Sequence, residues 1–264
     1  MTIEIDQVSI MAGGRRIVGP VCTRLHEGAL TTIVGPNGAG KSSLVKAMSG
    51  EIRPASGSVR LHGRDIAGIA PATLARQRAV LPQATAIAFP FTVFEIVSLG
   101  LRVRAGLDGA ARQRLVEGAL AAVDLEAFGD RAYQRLSGGE QQRVQLARIL
   151  CQIGEPVERG QAKLLILDEP TSSLDVRHQL DVLKIARRFA ENGAIVVAVL
   201  HDLNLAASFS DRILVMSEGS IVADDAPTQI LKSGILAHIF RTEVTVIEPP
   251  GWSRPAILPD LSRI

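Results

Sequence analysis

The stretch that decides the fold of this chain runs from residue 35 to residue 42 and reads Gly35-Pro36-Asn37-Gly38-Ala39-Gly40-Lys41-Ser42. It matches the pattern G-x-x-x-x-G-K-[ST] in full, between a β-branched run, Ala29–Val34, and a segment with helical spacing at residues 40–49. Glycines let backbone N–H groups turn inward around phosphate oxygens, and the start of a helix adds the positive end of its dipole. The pattern therefore predicts a strand, a phosphate-binding loop and a helix.

Two side chains in this loop add specific chemistry. Lys41 can reach the β- and γ-phosphates as a point charge, and Ser42 offers a hydroxyl to Mg²⁺. We therefore expect residues Gly35 to Ser42, with the next residue Ser43, to bind a nucleoside triphosphate.

The second part of this site is predicted at Leu164-Leu165-Ile166-Leu167-Asp168-Glu169, an apolar run that ends in two carboxylates. A buried strand would place Asp168 at the carboxyl edge of the sheet, near the phosphate loop, where it would hold Mg²⁺ mostly through water. The chain turns at the strand end, so Glu169 can face an attacking water and act as general base. The two motifs together predict hydrolysis of the nucleotide.

Composition excludes several other classes. The chain has 264 residues, a formal net charge of +2 and two cysteines, Cys22 and Cys151, that are far apart. This excludes a disulfide framework, a cysteine zinc site and a global cationic field for nucleic acid, and favours a reducing compartment. The N-terminus lacks the features of a secretory signal, and apolar runs such as residues 194–200 fall far below the roughly 18 residues of a spanning helix. We expect no membrane span, although a mean hydropathy of +0.22 would suit contact with a membrane protein.

Along the chain, hydrophobic patterns predict an α/β fold with a helical insertion. Strands are expected at residues 3–10, 29–34, 58–62, 79–81, 164–167, 194–200 and 213–216, and helices at 40–49, 176–191 and 203–209. The middle, about residues 92–152, is rich in Ala, Leu, Arg and Gln and predicts several helices. Residues 154–162 read as a polar loop, and the Pro- and Gly-containing end of the chain as irregular structure or short strands. Alternation of strands and helices implies a mostly parallel sheet covered by helices.

A family resemblance is carried by Leu136-Ser137-Gly138-Gly139-Glu140-Gln141-Gln142-Arg143, which resembles the signature of ABC-type ATPases. The other marks of that family follow in order, and each has a candidate in this sequence: the Q-loop glutamine Gln83, the Walker B segment ending in Asp168 and Glu169, the D-loop Ser173-Leu174-Asp175 and the switch histidine His201. The resemblance covers about residues 1–245. It implies one ABC ATPase domain with a RecA-like core, an N-terminal antiparallel β region, a helical subdomain at roughly residues 84–155, and a C-terminal tail at 246–264.

The resemblance also implies how the site works. Two copies would pair head to tail with two ATP molecules between them, and the signature residues Ser137, Gly138, Gly139 and Glu140 of one copy would contact the ATP held by the other. Gln83 would contact Mg²⁺ or the attacking water and report nucleotide occupancy to the helical subdomain. His201 would touch the γ-phosphate and orient the water, and Asp175 would link the two sites across the interface.

One feature departs from the family pattern. Many relatives place an aromatic residue about 23 residues before the phosphate loop, where it stacks on adenine. Here that stretch reads Ile10-Met11-Ala12-Gly13-Gly14-Arg15-Arg16 and contains no aromatic residue. Three interpretations stay open: Arg15 or Arg16 stacks on the base, adenine is loosely held, or both arginines are solvated turn residues.

An apolar segment follows Gln83. Phe89-Pro90-Phe91-Thr92-Val93 places two aromatic residues beside the expected γ-phosphate sensor, in a chain with few aromatic residues. Such a patch would suit docking of a membrane subunit, so Phe89 and Phe91 are candidate permease contacts. The alternative is a hydrophobic staple that fixes the helix starting at Thr92, and the two interpretations are compatible.

In detail, the pattern is similar to the group of ABC importers for iron complexes and cobalamin, and within it to the ATPases of haem (hemin) importers. The similarity lies in the loop at residues 154–162, in residues 168–183 and in residues 198–207. It implies a peripheral subunit on the cytoplasmic face of a bacterial inner membrane. Its partners would be a second copy of itself, two copies of a multi-spanning permease and, indirectly, a periplasmic haem-binding protein. A ferric-siderophore or cobalamin importer remains an alternative, as does a soluble non-transport ABC ATPase.

Overall fold

The fold is known from a computed structural model, which describes residues 2–83, 87–104, 106–240, 242, 244–248, 250–251 and 254–259. The strands of this part of the chain are β1 Thr2–Ala12, β2 Arg15–His26, β3 Ala29–Val34, β4 Ser56–Leu61, β5 Arg64–Asp65, β6 Arg78–Leu81, β7 Val157–Glu158, β8 Gln161–Ala162, β9 Leu164–Asp168, β10 Ile195–Val199, β11 Arg212–Ser217, β12 Ser220–Asp225, β13 Val244–Ile247 and β14 Ala256–Pro259. The α-helices are α1 Lys41–Ser49, α2 Pro71–Gln77, α3 Val93–Leu99, α4 Gly109–Ala121, α5 Gly138–Ile153, α6 Val176–Glu191, α7 Leu203–Phe209, α8 Pro227–Lys232 and α9 Ile235–Phe240. Short 3₁₀ turns lie at Ile66–Gly68, Gly100–Val103, Glu126–Phe128 and Tyr133–Arg135.

The central sheet positions the site. Its strand order is β12-β11-β3-β10-β9-β6, and all neighbouring pairs are parallel except β11 with β12. Strands β9 and β10 are buried along their whole length, as the apolar runs predict. Because parallel strands end at one edge of a sheet, the segments after β3, β6, β9 and β10 meet there. These segments carry the phosphate loop, Gln83, Glu169 and His201.

The two faces of this sheet have different partners. Alternate side chains separate cleanly: Leu165 and Leu167 belong to one buried cluster with the helices of the insertion, whereas Leu164 and Ile166 belong to another with α1 and the N-terminal strands. The second cluster is closed by an antiparallel sheet of order β2-β1-β4-β5. The expected α/β fold with a parallel core, an N-terminal antiparallel region and inserted helices is confirmed. Strand β2 has no counterpart among the strands predicted from the hydrophobic pattern.

The polar loop expected at residues 154–162 is in part a β-hairpin, so that prediction was incomplete. Val157 pairs with Ala162 and Glu158 with Gln161, around a two-residue turn. Arg159 and Gly160 both have positive φ, 51° and 73°, which is the backbone of the tight turns that suit hairpins. The buried Lys163 anchors the hairpin, since its Nζ lies 2.7 Å from the Ile153 carbonyl and 2.8 Å from Glu158.

The C-terminal segment packs on the rest of the chain as a hairpin of β13 and β14. Strand β13 crosses the boundary predicted at residue 245, and Ile257 is buried in the main core cluster. Asn204 of α7 binds the backbone of Ile257 twice, with distances of 3.1 Å to its carbonyl and 2.8 Å to its N–H. The described part of the tail is therefore short strands, the second of the two outcomes expected for it. Within the ranges that the structure describes, we find no helix with the length and apolar character needed to cross a membrane.

Candidate nucleotide and catalytic site

The phosphate loop connects β3 to α1, and at two of its three glycines, Gly35 and Gly40, it passes too close to neighbouring strands to carry a side chain. Gly35 has φ 149°, and a Cβ there would lie 2.1 Å from the Met216 carbonyl. Gly40 has φ 94°, and a Cβ there would lie 2.6 Å from Val18. Gly40 is also the N-cap of α1 and supplies no side-chain cap. The first N–H groups of α1 can therefore serve phosphate oxygens.

Lys41, the first residue of α1, is buried at the base of this loop. Its Nζ donates hydrogen bonds to the carbonyls of Gly35, at 2.8 Å, and Pro36, at 3.0 Å. Burial lowers the pKa of the Lys41 ammonium, while the negative charges of Glu169 and Asp168 oppose that shift. These contacts fix the cation inside the loop, where the motif places the phosphates.

Ser42 and Asp168 form the pair expected to hold Mg²⁺. The Ser42 hydroxyl lies 3.4 Å from Oδ1 of Asp168, which joins α1 to the end of β9. Asp168 is buried, and burial raises the pKa of its carboxyl despite the hydrogen bond from Ser42. Among the described residues there is no cluster of three or more His, Cys, Asp or Glu side chains that could hold a metal. A hydroxyl and one carboxylate are the hard oxygen donors with which proteins hold Mg²⁺ beside phosphates and water, so this donor set fits the ion.

Glu169 lies between two side chains from other loops. Nε2 of Gln83 donates to Oε2 of Glu169 at 2.7 Å, and Nε2 of His201 lies 2.7 Å from Oε1. The Glu169 side chain is 12% exposed and that of His201 is 46% exposed, so the carboxylate is shielded while the imidazole faces solvent. The structure thus brings together the three residues expected to take part in hydrolysis. It places Gln83 and His201 directly on the carboxylate, a contact that the sequence did not predict.

The signature segment is built as a helix start. Ser137 is the N-cap of α5; its hydroxyl accepts the N–H of Glu140 at 3.3 Å, and the Glu140 carboxylate accepts the N–H of Ser137 at 2.8 Å. The Ser137 N–H and hydroxyl hold the pKa of the Glu140 carboxyl below its usual range. Within the described ranges, no hydrogen bond or ion pair joins this capping box to the phosphate loop. Gly138 and Gly139 lie in the first turn of α5, as the motif requires.

Asp175 begins the next helix in the same manner. Its Oδ1 accepts hydrogen bonds from the N–H of His178 at 2.9 Å and from Nδ1 of His178 at 2.8 Å. The backbone N–H of His178 is the main reason that the pKa of the Asp175 carboxyl is lowered. The structure therefore gives Asp175 a local role, the N-cap of α6, and its role between two sites stays a prediction.

Gln142 and its partner Ser173 are site residues that sequence reasoning missed. Nε2 of Gln142 donates to the carbonyl of Glu169 at 3.2 Å, and the Ser173 hydroxyl donates to Oε1 of Gln142. Both residues lie inside the quoted motifs, so the signal was present, but the motifs alone assigned them no partner.

The two remaining sets of predicted residues lie at the surface. Arg15 and Arg16 are exposed beside the turn between β1 and β2, where they pair with Ala12 and Met11. Phe89 is 70% exposed, whereas Phe91 is partly buried against the main core cluster. The centroids of the two rings are 6.2 Å apart, and Phe89 is the one that presents most of its surface to solvent.

A phosphate loop at the edge of a parallel sheet, with a shielded carboxylate after a neighbouring strand, defines a P-loop nucleoside triphosphatase. The family model described as "ABC transporter" matches residues 18–172. This chain therefore belongs to the ABC transporter family, as an ATP-binding, ATP-hydrolysing cassette.

Comparison with known proteins adds relatives of nearly equal length. "Hemin import ATP-binding protein HmuV" of Rhizobium meliloti (strain 1021) is 48% identical over 257 residues, which cover 97% of this chain and 98% of the relative. The protein of the same name from Chelativorans sp. (strain BNC1) is 47% identical over 262 residues, covering 99% and 100%. A solved dimer, the ATP-binding cassette MJ0796 in a post-hydrolysis state bound to ADP and Pi, matches with a TM-score of 0.76 at 25% identity over 85% of this chain and 98% of that chain.

Proposed function

We propose that this chain is the ATP-hydrolysing subunit of an importer that takes up haem through a partner membrane permease. The shielded carboxylate of Glu169, held by Gln83 and His201 at the edge of the sheet, is the observation that supports hydrolysis. Similarity along nearly the whole chain to proteins named for hemin import supports the substrate.

In this proposal the residues divide the chemistry among them. Lys41 and the N–H groups from Gly35 to Ser43 bind and orient the phosphates, and Ser42 and Asp168 hold Mg²⁺, with Gln83 as an additional ligand. When bound, Mg²⁺ neutralises charge on the phosphate oxygens. Glu169 accepts the proton of the attacking water as general base. His201 lies on the solvent side of the Glu169 carboxylate. There it donates to the γ-phosphate and orients the attacking water for in-line attack.

The nucleotide site is completed by a second copy of the chain. The capping box uses the N–H groups of Ser137 and Glu140, so at this exposed helix start the N–H groups of Gly138 and Gly139 would be the ones to bind an anion. Ser137, Gly138, Gly139 and Glu140 would contact the ATP bound to the partner copy, and Asp175 would lie at the same interface. The dimer of the ABC cassette MJ0796, bound to ADP and Pi, supports the pairing of two copies.

Coupling to the membrane subunit is proposed at Phe89 and Phe91. The Phe91 carbonyl accepts the N–H of Tyr133 at 2.9 Å, and the Gln134 side chain donates to the Phe89 carbonyl. The aromatic segment is therefore bonded to the residues just before the signature, and a force on it would reach Ser137. Thr92 and Glu95 form a capping box at the start of α3, which fixes the start of that helix by hydrogen bonds; the hydrophobic staple at the same place stays a prediction.

The complete complex would contain two copies of this chain on two copies of a multi-spanning permease, at the cytoplasmic face of a bacterial inner membrane. A periplasmic haem-binding protein would deliver the substrate on the other side. The chain would lie on the membrane as a peripheral subunit, and nucleic acid would play no part.

The experiment that tests this function is transport in liposomes. The chain is reconstituted with its permease, a periplasmic binding protein and haem, a ferric siderophore or cobalamin, and ATP-dependent uptake is measured. We expect haem to accumulate. Uptake of cobalamin or the siderophore without haem would overturn the substrate and leave the ATPase assignment intact. ATP hydrolysis with no uptake in any arm would favour a soluble, non-transport ATPase.

A further inference from the structure

The side chain of Gln142 connects three functional segments of the chain. It lies on α5, the helix that starts at the signature residues. Its Nε2 donates to the carbonyl of Glu169 at 3.2 Å, and its Oε1 accepts a hydrogen bond from the hydroxyl of Ser173, two residues before Asp175. Both hydrogen-bonding groups of the amide are thus used outside its own helix.

The residue that Gln142 binds has an unusual backbone. Glu169 has φ 51°, in the left-handed region that non-glycine residues rarely adopt. Such a conformation persists only when its surroundings hold it, and it is frequent at functional sites. The Glu169 N–H donates to the Val199 carbonyl at 3.2 Å, and the Glu169 carbonyl accepts from Ser172 at 3.2 Å as well as from Gln142. Of the two donors to the Glu169 carbonyl, Ser172 and Gln142, the one on α5 is Gln142.

We propose that Gln142 is a positioning residue for hydrolysis, which holds the main chain of Glu169 so that its carboxylate stays between Gln83 and His201. The inference rests on the proposed role of Glu169 as general base. This role of Gln142 would connect the two nucleotide sites of the dimer. The start of α5 would contact the partner's ATP, and Gln142 in the second turn of that helix binds the base of its own site. Engagement of the signature would therefore favour the active placement of Glu169 in the same chain.

The test compares Gln142→Met with a matched control, Gln152→Met. Gln152 lies on the same helix and donates to two backbone carbonyls, those of Ala75 and Arg78 at 3.0 Å each, away from Glu169. We expect Gln142→Met to lower the single-turnover rate of ATP hydrolysis about tenfold, with ATP affinity and melting temperature equal to those of the control. A rate within twofold of the control, or an equal loss of ATP affinity, would overturn the proposal.

A second variant keeps the test decisive if Gln142→Met unfolds. Ser173→Ala removes only the hydroxyl that orients the Gln142 amide, so we expect a threefold to tenfold loss of the single-turnover rate. The double variant should be no slower than Gln142→Met alone, because the serine acts through the glutamine. Losses that multiply in the double variant would contradict the inference. If Gln142→Met cannot be purified, an unchanged rate in Ser173→Ala would contradict it.

Glu169→Gln, measured in parallel, separates the two proposals. If it keeps turnover, the assignment of the base fails, and the role of Gln142 fails with it. If it abolishes turnover while Gln142→Met hydrolyses ATP at the rate of the control, only the positioning role of Gln142 is wrong.

Discussion

The side-chain amide of Gln83 donates a 2.7 Å hydrogen bond to the carboxylate of Glu169, a residue 86 positions later in the chain. The contact follows from the sheet, because β6 and β9 are parallel neighbours and both residues follow their strand ends. Gln83 also precedes the segment that carries Phe89 and Phe91. The proposed catalytic carboxylate is therefore bonded to a residue that precedes the proposed permease contacts in the chain.

The first prediction concerns Glu169. Glu169→Gln keeps the shape of the side chain and its bond to Gln83 in one amide orientation, but it removes the basic oxygen. We expect steady-state ATP turnover to fall by about 10²- to 10⁴-fold while ATP binding and ATP-induced dimerisation survive. Turnover is measured by phosphate release and binding by calorimetry.

Glu117→Gln is a suitable control, because it removes the same charge from the remote helix α4. Its turnover should match that of the wild type. Turnover of Glu169→Gln within a few-fold of the wild type would remove Glu169 from the role of general base.

The second prediction concerns Lys41. Lys41→Ala removes a buried cation from the phosphate loop. The charge of the Lys41 ammonium acts on the phosphates of bound ATP as well as on those of the transition state. We expect ATP affinity to fall about 10- to 100-fold, as for loss of a charge-assisted hydrogen bond, and hydrolysis to fall with it. Calorimetry with Lys184→Ala, an exposed lysine on α6, serves as the comparison. Equal affinities in the two variants would contradict the assignment.

Sequence patterns predicted the strands and motifs of the site well, because the signals are local. The run Ala29–Val34 and the helix Val176–Glu191 have the predicted bounds, and the strand ends of a parallel sheet must converge. The contacts of Gln142 with Glu169 and Ser173 could not be predicted, since they depend on how α5 packs against the sheet edge. Strand β2 was missed because Gly19 and Pro20 interrupt its apolar residues, and the hairpin at Arg159 was missed because its residues are largely polar and exposed, which hides a period of two.

The third prediction concerns the base of the nucleotide. The only arginines in the stretch where relatives carry an aromatic residue, Arg15 and Arg16, are exposed at a turn. One stacking contact on a base contributes about 1–3 kcal/mol, so its absence should weaken discrimination. We expect GTP to compete with ATP within about one order of magnitude in binding assays. A hundredfold preference for ATP would show that another group replaces the ring, and loss of that preference in Arg15→Ala or Arg16→Ala would identify it.

The fourth prediction concerns the C-terminal hairpin. Asn204 lies on α7, the helix that follows His201. Its side-chain amide makes two hydrogen bonds, both to the backbone of Ile257. Asn204→Ala should lower the free energy of unfolding by about 1–3 kcal/mol, because two partly buried backbone groups lose their partners. Asn192→Ala removes one local bond at the end of α6 and should change stability by less than about 0.5 kcal/mol. Equal denaturation midpoints for the two variants would show that the hairpin contributes nothing through Asn204.

The last prediction concerns the proposed contact with the permease. The burial of Phe89 and Phe91 determines which of them is the better one to change. Phe91 packs partly against the core, so its truncation would alter the packing of the helical insertion as well as its surface. Phe89 is 70% exposed, and its contacts with Phe91 and Gln134 through the backbone carbonyl persist in an alanine variant. Phe89→Ala therefore tests docking without removing a core side chain.

We expect Phe89→Ala to weaken binding of the chain to its permease by about thirtyfold, the effect of losing an interface residue worth about 2 kcal/mol. ATP-driven uptake in liposomes should fall in parallel, while the isolated cassette hydrolyses ATP within twofold of the wild type. Val222→Ala removes an exposed apolar side chain from β12 and should leave uptake unchanged. Full uptake by Phe89→Ala would place the permease contact elsewhere on the cassette. Lost uptake with undiminished permease binding would mean that the Phe89 ring itself passes the force of docking to residues 89–92, because the variant keeps the backbone bonds that join this segment to residues 131–134.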